Sequence, residues 1–386
     1  MKVVLIQPPQ RNLKEPKAYP SLGLCYLGAT LLEAKIDVEV TNFADTPIED
    51  ISIDDIPEAD FYGITCTSAI YPEVIAITKI LKDASVGRVV IGGAYPSISP
   101  QETYKESQCD YVITGEAEYV FRDLVLGKGK PNEKIIHAGI IKNLDTLPFP
   151  ARHLFKKEEI VNFSGILGQE KGVGGVSMLS SRGCPMKCSF CCREHEMLTT
   201  FRYRSGTRVR EEMKQIIEEY GVMFFRFLDD AFTANRQRVL KLCKEIKDLE
   251  CKWRCITRAD WIDKGLLEAM KEAGCVGCDF GIESGSQRVL DMMNKRLTVE
   301  ENIKAIKLMK DVGLSPKVFL MCGFPGETEK DIELTKKFMQ LTKPDSFTLS
   351  QFASTNNKGW FYPDEQGSAR YKELKQWLFS GVWRTT

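Results

Sequence analysis

The chain has 386 residues, with 53 Lys plus Arg against 53 Asp plus Glu, and 43% of its residues are hydrophobic. That length suits two domains rather than one core. The balanced charge excludes the one-sided basic field of a nucleic-acid binder, and no stretch approaches the run of about 20 apolar residues that a membrane span needs.

The N-terminal "MKVVLIQPPQ" ends at prolines and lacks a small-residue cleavage site, so it does not read as a signal peptide. The chain therefore reads as cytoplasmic, where clustered cysteines imply metal or redox chemistry rather than disulfides. Over the first 125 residues, apolar β-type runs alternate with helical patterns. Strands are expected at 2–7, 37–43, 59–66, 88–93 and 110–115, with helices at 22–34, near 72–85 and in "EAEYVFRDLV". Strand–helix–strand at this spacing predicts an N-terminal doubly wound parallel sheet, which binds ligands at the carboxyl ends of its strands. We expect this domain to occupy residues 1–130, followed by a Gly-, Pro- and charge-rich linker over 131–172.

A second alternating series begins at "GVSMLSSRG" (175–183). Further strands are expected at 223–230, 252–258, 275–283, 316–324 and 345–352, with helical patterns between them. Six β/α units predict a (β/α)6 partial barrel of the TIM type over 173–350, with its active site at the strands' C-terminal ends. A short C-terminal segment, 351–386, remains. There Trp360, Phe361 and Tyr362 either wall a substrate pocket or pack as a lid.

The stretch "GCPMKCSFCC" follows the first strand of the second series. Cys184, Cys188 and Cys191 have the spacing C-x3-C-x2-C, with Cys192 adjacent. A structural zinc would need a fourth ligand, Cys192 or His195, but neighbouring side chains point apart and make a poor chelate. His195 serves that role or is simply a polar loop residue. An iron–sulfur cluster on three thiolates would instead leave one iron without a protein ligand. Cys275 and Cys278 are expected on opposite faces of a strand, hence poor joint ligands.

This loop, with Phe190 just before its third cysteine, resembles that of the radical S-adenosylmethionine enzymes. The resemblance implies a 4Fe-4S cluster on Cys184, Cys188 and Cys191, whose open iron chelates S-adenosylmethionine. Reductive cleavage there gives a 5′-deoxyadenosyl radical that abstracts hydrogen from an unactivated carbon. Four further motifs agree with it. "FLDDAF" carries Asp229 and Asp230, which the resemblance assigns to the cosubstrate's amino group. "CITRAD" carries Arg258, assigned to its carboxylate. "FGIESGSQ" carries Glu283, Ser284 and Ser286 for the ribose, and "MCGFPGET" carries Gly323 for close approach of the adenine.

In the first domain, "GITCTS", "IGGAYPS" and "TGEAE" resemble the cobalamin-binding domain of one large subclass of these enzymes. The resemblance places Thr65, Thr67, Ser68, Gly92, Gly93, Gly115 and Glu116 around the cofactor's nucleotide tail. A GxGxxG fingerprint is absent. So is the D-x-H-x-x-G loop, and no histidine precedes His137, so the implied cobalamin has no histidine ligand from the protein. Tyr71, after the third strand, is the candidate group near its lower face.

The function implied is a cobalamin-dependent radical S-adenosylmethionine methyltransferase, which moves a methyl group from methylcobalamin to an unactivated carbon of a small molecule. A cyclase or ring-rearranging enzyme with the same cofactors is the alternative. A cobalamin carrier or sensor with a structural cluster is the alternative outside enzymes. A flavodoxin or ferredoxin is the expected reductant, and a monomer without nucleic-acid or membrane partners the expected state.

Overall fold

A computed structural model describes all residues except 12, 14, 18–19, 130–131, 192–198, 357–358, 362–364 and 386. The chain divides into two compact units, one built on Met1–Ser177 and the other on the chain from Met178 onward.

The first unit is a six-stranded sheet in the order β2-β1-β3-β4-β5-β6. Its strands are β1 (Lys2–Gln7), β2 (Asp37–Asn42), β3 (Phe61–Thr65), β4 (Arg88–Gly92), β5 (Tyr111–Thr114) and β6 (Ile135–His137). Every neighbouring pair is parallel. Parallel strands are covered on both faces, which is why β1 reads as an unbroken apolar run and its Val3, Val4, Leu5 and Ile6 are fully buried. The helix Leu22–Glu33 starts where the Ser21 hydroxyl accepts the Leu24 amide. The helix Tyr71–Asp83 starts with Pro72 in its first turn and buries Val74, Ile77 and Leu81 against Ile64 and Ile91. One strand differs from expectation. β6 lies within the segment read as a linker, because "KIIH" is too short to show a period against its polar flanks.

In the second unit, the sheet order is β14-β13-β12-β11-β10-β7. The strands are β7 (Gly175–Met178), β10 (Phe224–Phe227), β11 (Lys252–Thr257), β12 (Cys275–Glu283), β13 (Ser315–Cys322) and β14 (Ser346–Gln351). The short strands β8 (Ser181–Arg182) and β9 (Arg202–Tyr203) pair antiparallel at positions flanking the cysteine loop. The main sheet curls into a half-barrel. Its outer face packs on helices: Val318, Leu320 and Cys322 of β13 are buried, while Lys317, Phe319 and Met321 between them are half-buried on the other face.

That second face carries a charged layer. Asp279 on β12 accepts from Arg226 on β10 at 2.6 Å and from Arg254 on β11 at 3.2 Å, and Lys317 stands 4.0 Å away. Asp279, Arg226 and Arg254 are all buried.

Cys275 and Cys278 do not point to opposite faces, contrary to expectation. Trp253 pairs with Cys275 and Arg254 with Gly277, so Val276 is an extra residue in the ladder. This bulge shifts the alternation by one and turns both cysteines toward the side of Cys255, whose sulfur lies 3.7 Å from that of Cys278. All three are buried.

Beyond β14 the chain forms a hairpin of β15 (Ser354–Asn356) and β16 (Gly359–Phe361) and a helix, Glu365–Ser380. Trp360 and Phe361 lie in β16, and Tyr362 lies outside the described residues.

Removing the only carboxylate of the charged layer should be costly, because two buried guanidinium groups lose their shared partner. Asp279→Ala is expected to destabilise the second unit by about 3–5 kcal/mol, read as a lowered midpoint in chemical denaturation.

Candidate active site

The cysteine loop is held by what surrounds it. At its start stands Asp229, fully buried just after β10. One oxygen accepts the Ser180 amide at 2.7 Å; the other accepts the Ser180 and Ser181 hydroxyls at 2.6 and 2.5 Å. Arg238, from the helix Arg236–Ile246, approaches to 3.6 Å and also donates to the Phe232 carbonyl. Burial pushes the Asp229 carboxyl above its usual range, opposed by Arg238 and the serine donors. Gly183 then turns the chain with φ 81°, a left-handed conformation that side chains disfavour, and Cys184 follows.

Cys184 is buried, whereas Cys188 and Cys191 are half-exposed, and no described cysteine forms a disulfide. The Cys191 amide donates to the Cys188 carbonyl at 3.1 Å. From the far side, the segment Met292–Arg296 holds the loop. The Ser189 amide donates to the Met293 carbonyl at 2.9 Å, its hydroxyl to the Met292 carbonyl at 3.2 Å, and the Asn294 amide group to the Lys187 carbonyl at 2.7 Å. Lys295 sits over the Phe190 ring, 5.4 Å from its centroid, and donates to Glu283 at 2.8 Å.

The other expected site residues occupy the strand ends in different ways. Asp230 is exposed beside buried Asp229. Arg258 is buried after β11, and its guanidinium donates to both oxygens of Asp260 at 3.0 and 3.3 Å and to the Lys295 and Arg296 carbonyls at 3.0 and 3.4 Å. Its Nη1 lies 4.0 Å from the Cys188 sulfur. Glu283 ends β12 with φ 66°, next to an irregularity in the pairing with β13. Ser284 and Ser286 turn inward: the Ser284 hydroxyl meets Thr335 at 3.3 Å, and that of Ser286 donates to Asp331 at 2.6 Å. Both bind the turn to the helix Glu329–Thr342, away from solvent. The Gly323 amide donates to buried Glu327 at 2.6 Å.

At the strand ends of the first unit, Thr65 and Ser68 are half-buried and Thr67 is exposed. A side-chain carbon added at Gly92 would meet nothing closer than 3.6 Å, whereas at Gly93 it would fall 2.5 Å from the Cys66 carbonyl. Ser97 bridges two of these turns by donating to the Gly93 carbonyl at 2.7 Å and accepting the Gly115 amide at 2.9 Å. Glu116 accepts the Ile141 amide at 2.5 Å. Tyr71 is buried, gives its hydroxyl to Glu106 at 2.9 Å and packs on Tyr95 with centroids 4.4 Å apart. Burial first, and Glu106 second, raise its phenol far above the usual range. His137, exposed at the end of β6, has its Nδ1 2.8 Å from the Thr114 hydroxyl.

Two domain models match this chain. The radical SAM superfamily matches residues 178–339, and the B12 binding domain matches residues 15–125. An uncharacterized methyltransferase of Pyrococcus horikoshii is 32% identical over 381 residues, covering 91% of this chain and 80% of the relative. The chain belongs to the cobalamin-dependent radical S-adenosylmethionine family. An anaerobic magnesium-protoporphyrin IX monomethyl ester cyclase of Rubrivivax gelatinosus is 28% identical over 336 residues, covering 78% of this chain and 59% of the cyclase. Among solved structures, the radical S-adenosylmethionine methyltransferase TsrM of Kitasatospora setae, with cobalamin and a [4Fe-4S] cluster bound, shares the fold at a TM-score of 0.68 and 16% identity, covering 91% of this chain and 74% of that one.

Family membership brings a 4Fe-4S cluster, S-adenosylmethionine and cobalamin as cofactors, and the residues present fit them. Among the described residues, no three His, Cys, Asp or Glu side chains converge as a single bound ion requires. In such a cluster each of the three thiolates binds a different iron. The half-exposed thiols of Cys188 and Cys191 are accessible to such a group. At the first unit's strand ends, Gly92 leaves room and three hydroxyl residues stand within reach of solvent, as a bulky polar tail needs. The sequence alone gave no sign of Arg238, Asn294, Lys295 or Glu327, whose roles depend on long-range contacts.

The two adjacent aspartates should separate cleanly. Asp229→Ala leaves Arg238 buried without its carboxylate and frees the start of the loop, so reconstituted iron is expected to fall by more than half. Asp230→Ala should keep iron within about a tenth of the unaltered protein, both read by iron and sulfide assay.

Proposed function

We propose that this enzyme transfers a methyl group to a carbon atom of a small-molecule substrate. The observation that carries the reading is the similarity, along nine-tenths of the chain, to a relative named as a methyltransferase. Bound together, the cluster and S-adenosylmethionine supply a hydrogen-abstracting radical, and cobalamin supplies a transferable methyl group.

The residues then divide the work. Cys184, Cys188 and Cys191 hold the cluster, and the Asp229 brace fixes where their loop begins. Asp230 is the exposed carboxylate at the end of β10 and is our candidate for the cosubstrate's amino group. The turn after β13 presents Gly323, whose missing side chain lets a flat ring approach the backbone. Ser284 and Ser286 support this rim from beneath, since their hydroxyls are engaged internally. In the first unit, Thr65, Thr67, Ser68, Gly92, Gly93, Gly115 and Glu116 would surround the cobalamin tail. Tyr71, its hydroxyl held by Glu106, would offer a ring rather than an oxygen ligand. We further propose that residues 1–130 and 173–350 act as the two cofactor-binding domains, and that a flavodoxin or ferredoxin delivers the electron.

A cyclisation without methyl transfer is favoured by one observation, the cyclase relative. Anaerobically reconstituted enzyme, given candidate metabolites and S-adenosylmethionine deuterated in its methyl group, separates the two. We expect 5′-deoxyadenosine together with a product carrying deuterated methyl. 5′-Deoxyadenosine with an unmethylated, rearranged product would favour cyclisation instead. Cys188→Ala should reduce 5′-deoxyadenosine to background.

A further inference from the structure

We propose that Arg258 and the segment Met292–Arg296 form a clasp for the iron–sulfur cluster, with Arg258 a positioning residue that hydrogen-bonds a cluster thiolate rather than an anchor for the cosubstrate's carboxylate. The inference is independent of whether a methyl group is transferred.

A guanidinium has five N–H groups in a rigid plane. In Arg258, Nε and Nη2 are committed to Asp260 and to two backbone carbonyls, those of Lys295 and Arg296. Nη1 faces the Cys188 sulfur at 4.0 Å, so at most one N–H remains. Gripping a carboxylate in fork geometry takes two. The side chain is only 7% exposed, which leaves little approach for a second ligand.

What Arg258 binds explains its place. Lys295 and Arg296 close the segment whose other residues hold the loop through Met292, Met293 and Asn294. Asn294 and Arg296 both adopt left-handed backbone, φ 47° and 53°, which non-glycine residues avoid unless surroundings impose it. Arg258 caps two of the carbonyls that this turn exposes. One planar group thus ties the end of β11, the strained turn and the middle cysteine together. Hydrogen bonds to cluster sulfurs favour the reduced state, because added electron density on sulfur strengthens them.

The test uses reconstituted full-length enzyme without S-adenosylmethionine. Arg258→Met is expected to lower the cluster's midpoint potential and to speed iron loss to a chelator several-fold. Arg258→Lys should fall between, since an ammonium cannot reproduce the fork. Unchanged potential and iron loss in Arg258→Met, with weakened S-adenosylmethionine binding, would overturn the proposal in favour of a carboxylate anchor. If Arg258→Met does not fold, Asn294→Gly decides. It keeps the left-handed backbone, removes the tie to the Lys187 carbonyl together with an exposed contact that Arg296 donates to the Asn294 side chain at 3.3 Å, and should speed iron loss while leaving the potential unchanged. Iron loss equal to that of the unaltered enzyme would contradict the clasp.

Discussion

A single buried carboxylate fixes where the cysteine loop begins. Asp229 collects three donors from Ser180 and Ser181 and faces Arg238. Burial disfavours a charge in that position, and these donors together with Arg238 oppose the penalty. The cost of burying it is offset by geometry: the end of β10 and the start of the loop cannot move independently. Cys184 therefore emerges from a fixed point. The far end is held differently, by backbone carbonyls of Met292 and Met293 and by Asn294. Two independent supports thus hold the loop that carries the three thiols.

Both units obey one rule of parallel sheets. The central strands are largely buried, so chemistry collects at the carboxyl ends, where backbone and side chains reach solvent. The half-barrel adds a charged layer lower down, Asp279 with Arg226 and Arg254. Such a layer is costly in a core, and it sits on the face of the sheet away from the helices, beside half-buried Lys317.

Most of the element order was readable from the sequence because central strands such as β1, β3 and β12 are apolar runs set between helical patterns. The expected strands at 2–7 and 275–283 match β1 and β12 to the residue. β6 was not readable, since three residues show no period. Nor was the bulge at Val276, which depends on pairing with β11 and reversed the expectation for Cys275 and Cys278. Site motifs were legible as positions but not as roles. "DD" does not say which aspartate is buried; the fold buries Asp229 and exposes Asp230. "ESGS" reads as a polar rim, yet both serines face Thr335 and Asp331 on a helix some 50 residues away. Contacts at that separation leave no local pattern.

The proposed chemistry requires that Cys184, Cys188 and Cys191 leave one iron of the cluster open for the cosubstrate. The most direct measurement is electron–nuclear double resonance of the reduced cluster with S-adenosylmethionine isotopically labelled in its amino and carboxyl groups. Hyperfine coupling from both labels is the predicted result. A spectrum unchanged by the labelled cosubstrate, from a cluster whose irons are all held by protein side chains, would contradict it.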